Sequence, residues 1–161
     1  MMPHEPVRDV MRRTMQNLEF IEAHRGPCGP YEVTQLLNSF LGAMAYPWEV
    51  YEIEICGRSL SEATASGWPR ILKERPRDRD PETLGDLVRL VRNAIAHGNI
   101  QFLPGRAADI QALKIWNEDR NGVRTWGAII TVRDMRAFLT CFVHLAEELV
   151  AKRGRSRLQR A

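Results

Sequence analysis

The chain has 161 residues, 44% of them apolar, which is enough for one globular domain around a single core. Its formal net charge is +3, and the cations are nearly all arginine, since Lys73, Lys114 and Lys152 are the only lysines. Arginine's planar fork fits phosphate and carboxylate, so this composition admits a nucleic-acid partner, although so small an excess does not require one. No early apolar run resembles a signal peptide and no stretch is long enough to span a bilayer, so the reading is a cytoplasmic chain without a membrane partner.

A first helix is expected from Pro6 to about His24. Proline suits a first helical position, and Val7, Val10, Met11, Met15, Leu18 and Ile21 recur as one apolar stripe. "RGPCGP" then breaks the chain. A second helix is expected from near Pro30, with Val33, Leu36, Leu37, Phe40, Leu41 and Met44 facing one way. It should stop at Tyr46, before Pro47, because the residue preceding a proline is pushed out of helical geometry. Residues 47–80 read as a connector: "WEVYEIEI" fits a short strand or a helical turn, "SLSEATAS" fits one or two turns, and "RILKERPRDRDP" is charged and turn-prone.

The third helix has a local start signal, with Asp80 as N-cap, Pro81 at the first position and Glu82 after it. Leu84, Leu87, Val88, Val91 and Ile95 form its apolar stripe, and Gly98 is placed to close it in the left-handed conformation. The period then changes. "NIQFL", "IQALKIWN" and "RTWGAIITV" have strand character, and "DRNG" supplies a hairpin turn. A fourth helix begins near Thr131, where Thr131 with Asp134 resembles a capping box, and Met135, Phe138, Leu139, Phe142, Ala146, Leu149 and Val150 form its buried face. The expected fold class is mainly α: about four main helices with a small antiparallel sheet inserted between the third and fourth. Residues 1–151 make one domain and 152–161 a basic, flexible tail.

The third helix ends in "LVRNAIAHGNI", which sets Arg92, Asn93 and His97 just before a glycine. At about 100° per residue, Asn93 and His97 are neighbours on one side, while Arg92 and His97 lie about 140° apart and can line a cleft made with a second surface. Cleaving RNA without a metal needs a base for the 2′-hydroxyl, an acid for the leaving oxygen and positive charge at the phosphate. Histidine serves as acid or base near neutral pH, and arginine holds the phosphate. One copy supplies one such histidine; a two-fold dimer would supply two. The spacing alone is a weak signal, and a histidine and glycine at a helix end can equally serve as a cap for the last carbonyls, with Arg92 a snorkelling surface residue.

The whole stretch "VRNAIAHGNIQF" resembles the signature of the HEPN (higher eukaryote and prokaryote nucleotide-binding) domains, in which arginine, a polar residue often asparagine, and a later histidine close a helix. "NLEFIE", "YEVTQLLNSFLGAMAYPWE", "IWN" and "TWGAIITVRDM" are similar to segments of a bacterial subgroup of HEPN family nucleases. The likeness covers most of the chain outside residues 52–80 and the tail. It implies a helical bundle, a homodimer and a metal-independent endoribonuclease of toxin, phage-defence or RNA-processing type. Arg92, His97 and Asn93 would be catalytic, RNA the substrate, and an antitoxin or other regulatory protein a further partner. The alternative is a HEPN module that has lost catalysis and binds RNA, nucleotide or a protein, although the intact motif argues against that loss.

No cofactor is expected. No metal is expected either, since no two histidines have helical ligand spacing and Cys28, Cys56 and Cys141, odd in number, have no metal or redox spacing; they read as free thiols of a reducing compartment. Arg89, one turn before the motif, can extend a phosphate-binding face. His24 reads as a cap or surface residue, His144 as exposed, and His4 as terminal. Trp48, Trp68, Trp116 and Trp126 could stack on bases, although Trp116 and Trp126 fit cross-strand packing better. Thr34, Gln35 and Asn38 suggest hydrogen bonds between helices.

Overall fold

The computed structural model describes residues 6–27, 29, 31–106 and 109–158. It is mainly helical, in the order α1 (Pro6–Ala23), α2 (Glu32–Cys56), α3 (Leu60–Ala65), α4 (Leu84–Ala96), β1 (Ile100–Pro104), β2 (Ile110–Glu118), β3 (Arg124–Thr131) and α5 (Val132–Leu158). The chain divides into two compact units, Met1–Glu54 with Leu139–Ala161, and Ile55–Phe138.

The first unit is helical. α1 buries Val7, Met11 and Leu18, but Val10, expected on that stripe, is half exposed. α2 buries Val33, Leu36, Leu37, Phe40 and Met44 as expected, and Ala43 besides, while Leu41 is only half-buried; yet it does not stop at Pro47. The apolar stripe continues through Trp48 and Tyr51, both buried, and that burial outweighs the hydrogen bond proline removes. The departure from helical geometry comes at Tyr51, with φ −123° and ψ 15°. "WEVYEIEI" is therefore helix rather than strand.

Phe142, Val143, Leu145, Ala146 and Leu149 of α5 are buried. The basic segment expected to be flexible from residue 152 continues α5 as helix to Leu158. Arg153 in that segment donates to the Val50 carbonyl at 3.0 Å and to Glu54 at 2.9 Å, and its guanidinium carbon lies 4.5 Å from the Tyr51 ring centroid. It thus engages the turn around the irregular residue of α2.

The second unit holds α3, α4 and a three-stranded antiparallel sheet in the order β1-β2-β3. The register pairs Phe102 with Leu113 and Leu113 with Ile130. Leu113, Ile115, Trp126, Ala128 and Ile130 are buried on the inner face of the sheet, and α4 packs against β2. The hairpin turn falls at 119–122 as expected. Asp119 Oδ1 accepts from Asn121 and Val123 N–H, and Gly122 takes φ +75°.

The connector has structure of its own. A capping box at Ser59 and Glu62 starts α3. Residues 73–79 then run along the outer edge of β3, with Glu74 N–H donating to Gly127 C=O at 2.7 Å and Arg79 N–H to Thr125 C=O at 3.1 Å. Side chains reinforce that edge. Glu74 lies 2.7 Å from both Lys114 and Arg124, and Arg124 forks onto Asp78 at 2.6 and 3.1 Å. The Lys114 hydrogen bond, with Arg124 beside it, holds the Glu74 carboxyl below the usual carboxylate range. The connector thereby covers a sheet edge that would otherwise present unpaired backbone groups.

The start of α4 differs from the local signal. Its N-cap is Thr83, whose hydroxyl accepts from Asp86 N–H at 3.1 Å, and not Asp80. Thr83 pairs with Ser59 in an antiparallel bridge, and Leu84 N–H donates to Arg58 C=O. That pairing holds the approach to α4 extended, while Asp80 is spent on Lys73 at 2.7 Å. The fourth long helix starts as expected, with Thr131 Oγ1 accepting from Asp134 N–H at 3.0 Å.

Candidate functional site

α4 is amphipathic by construction. Leu84, Gly85, Leu87, Val88, Leu90, Val91, Ala94 and Ile95 are buried, and everything else on the helix lies on one stripe. That stripe carries Asp86, Arg89, Arg92, Asn93 and Ala96 and runs out at His97, at the helical spacings of three and four. Arg92 and Asn93 are half-buried and His97 is exposed. Asn93 and His97 therefore lie on one side of the stripe, while Arg92 lies at its other edge, about 140° from His97, with Ala96 between them.

The end of this helix is closed rather than frayed. His97 is the C-cap, at φ −87° and ψ 0°, and its N–H donates to Asn93 C=O at 3.0 Å. Gly98 takes φ +72°, a conformation that costs glycine little and other residues more. Its N–H donates to Ile95 C=O at 3.1 Å, and Asn99 N–H to Ala94 C=O at 2.9 Å, the paired closure of a Schellman motif. Trp116 N–H then donates to Asn99 C=O, tying the exit of the helix to β2. About two turns before His97, the Asn117 side chain donates to Leu90 C=O at 2.8 Å. His97 thus sits between two anchors on the same strand. Asn117 ties α4 to β2 and is a residue that no local sequence pattern singles out, because its partner lies 27 positions away.

Arg89 lies on the same stripe but is not an unattached cation. Its Nη2 is 2.8 Å from Asp86 Oδ1, and the same oxygen takes Arg79 Nη2 at 2.5 Å. Burial alone would push the Asp86 carboxyl up. Hydrogen bonds from Arg89, Arg79 and the Glu82 N–H outweigh it and hold the group below its ordinary value.

The other candidates separate cleanly. His24 Nδ1 donates to Phe20 C=O at 2.7 Å and its ring centroid lies 4.1 Å from that of Phe20, so it finishes α1 as a cap. His144 is exposed, and His4 and Cys28 lie outside the described residues. Neither Cys56 nor Cys141 is in a disulfide, and burial pushes the Cys141 thiol up. Trp48, Trp68 and Trp126 are buried and cannot offer a ring to a base, and Trp68 meets Phe138 edge-on at 5.0 Å. Trp116 pairs with Gly127 and Trp126 with Asn117, so the two indoles occupy opposite faces of the sheet and do not pack on each other. The Trp116 indole is half-buried and donates to Glu118.

Gln35 bonds to Ser39 within α2 rather than to another helix, and Thr34 and Asn38 are exposed. An open cleft of about 480 Å³ beside the connector, lined in part by Leu60, Thr64, Ile71, Lys73 and Leu87, contains none of Arg92, Asn93 and His97. Among the described residues no group of histidine, cysteine and carboxylate side chains could hold a metal ion, and no helix is long and apolar enough to cross a membrane.

The arrangement offers a phosphodiester one guanidinium, one amide and one imidazole on a rigid helix end. No curated protein and no solved structure matches the chain. The model of one family, HEPN pEK499 p136, matches residues 1–153, which takes in α4 and the whole sheet. A match of that extent supports a nucleotide-binding or ribonuclease-type module in general terms. By that match the chain belongs to the HEPN domains, in the pEK499 p136 family.

Proposed function

We propose that the protein is a metal-independent endoribonuclease acting as a homodimer, with Arg92, Asn93 and His97 of α4 as its catalytic residues. The observation that carries this reading is the polar stripe of α4, which holds exposed His97, half-buried Asn93 and half-buried Arg92 at a helix end closed by Gly98. In the reaction the 2′-oxygen bonds to phosphorus as the bond to the 5′-oxygen breaks. One His97 takes the 2′-hydroxyl proton, and the His97 of a second copy gives a proton to the departing 5′-oxygen. Arg92 holds the phosphate and offsets the charge that builds on it, and Asn93, one turn below His97, orients the imidazole or bonds the substrate. The products are a 2′,3′-cyclic phosphate and a 5′-hydroxyl. A single copy supplies a single His97, so the acid and base are completed by two-fold pairing.

The test is cleavage of RNA by purified protein in excess EDTA, wild type beside His97→Ala, with end-group analysis. The expected result is cyclic phosphate ends from the wild type and a loss of at least about 10²-fold in the variant, the usual scale for a general acid or base. Equal cleavage by a folded His97→Ala protein would sink the mechanism. RNA binding without turnover in the wild type would leave a HEPN module that binds RNA without cutting it.

A further inference from the structure

The α4 stripe does not end with the motif. Toward the N-terminus it carries Arg89, and there the connector brings a second guanidinium beside it. Arg79 comes from a segment fixed to β3 by its own backbone, its N–H donating to Thr125 C=O at 3.1 Å. Its Nη2 and that of Arg89 converge on one oxygen, Asp86 Oδ1, at 2.5 and 2.8 Å. The carboxylate is nearly enclosed, at 12% exposure, whereas Arg79 and Arg89 remain 41% and 54% exposed. One negative charge therefore orders two positive ones. A guanidinium has five N–H donors in a planar fork, so each keeps donor edges turned to water after meeting Asp86. The pair carries an excess of one positive charge. Its Arg89 lies three residues, about 4.5 Å along the axis, before Arg92 on the same stripe.

We propose that Arg79 and Arg89, held side by side by Asp86, form a phosphate subsite for the strand flanking the scissile linkage, and that the connector exists partly to deliver Arg79 to it. The inference rests on the RNA-directed reading of the α4 face. Asp86 is the positioning residue: it removes the rotamer freedom that two long side chains would otherwise lose on binding. A purely structural clamp between connector and helix would use the same three residues but would not meet the ligand, and that difference is measurable.

The experiment uses the His97→Ala protein, which keeps the RNA intact, and a short fluorescein-labelled oligouridine. Its affinity is read between about 50 and 200 mM salt. Each phosphate neutralised on a single strand contributes about 0.7 to the slope of log affinity against log salt. Arg79→Gln is expected to reduce the slope by about 0.7, and the double variant with Arg89→Gln by about 1.4. An unchanged slope in a folded Arg79→Gln protein overturns the subsite. So does an equal loss in Arg12→Gln, whose guanidinium is committed in the same way to Asp9 on α1 at 2.7 Å, because the effect would then be net charge alone.

Should Arg79→Gln fail to fold, phenylglyoxal labelling of the His97→Ala protein, with Arg79 and Arg89 in place, gives the answer. Bound oligouridine is expected to protect Arg79 and Arg89 and to spare Arg12, and labelling of Arg79 that RNA does not slow overturns the proposal. Absence of any oligouridine binding by the His97→Ala parent would instead sink the RNA reading itself, and the subsite with it.

Discussion

Gly85 shows how tightly one position can be specified. A Cβ built there would lie 2.5 Å from Cys56 Sγ and 2.6 Å from Cys56 Cα. The second of these is backbone and cannot swing aside, so Gly85→Ala must push the first turn of α4 away from residue 56. Overpacking of this kind costs about 1–3 kcal/mol. A fall in the urea midpoint at unchanged m-value is the expected readout, and an unchanged midpoint would show that the contact has slack. At Gly98 the constraint is of another kind: nothing lies within 4 Å of a Cβ there, but φ is +72°. The two glycines read alike in the sequence, yet only Gly98 was legible, because a glycine after an amphipathic run is a local signal. The need for Gly85 arises from a residue 29 positions back, as the need for Asn117 arises from Leu90, and neither leaves a trace in its own neighbourhood.

The same division between local and distant causes governs the elements. The polar stripe of α4, with Asn93 and His97 on one side and Arg92 at its other edge, was legible, since a 3.6-residue period and a closing glycine determine it without help from the rest of the chain. Where α4 begins was not. Asp80-Pro81-Glu82 is a stronger local start than Thr83, but the bridge from Ser59 to Thr83 keeps that approach extended and the helix waits three residues. Thr83→Ala should therefore cost about 1 kcal/mol, the usual worth of an N-cap hydroxyl, whereas Asp80→Ala should lose only an exposed ion pair with Lys73, within about 0.5 kcal/mol. Thermal or urea unfolding of the two variants decides it, and a larger loss from Asp80→Ala would return the cap to Asp80. Pro47 misled for the same reason: a proline stops an isolated helix, but burial of Trp48 and Tyr51 carries this one past it.

At the scale of the whole molecule, the question is how many copies make one active unit. The described residues place a single His97 on each α4, while a proton must be taken from one oxygen and given to another. If a two-fold pair provides both, a wild-type protomer joined to a His97→Ala protomer lacks one of the two groups. Active sites should then follow the chance that two wild-type chains meet. When equal amounts of wild type and variant are unfolded together and refolded, about a quarter of the dimers carry both histidines, and cleavage should fall to roughly that fraction of an all-wild-type sample at the same total concentration. A protomer that cuts RNA by itself would instead retain about half, in proportion to the wild-type chains present. The comparison needs both proteins equally folded, which a His97→Ala change at an exposed C-cap permits, because the closure there is made by the backbone of Ala94, Ile95, Gly98 and Asn99 and not by the imidazole. A residual activity near half would place acid and base within one chain and remove the reason for pairing.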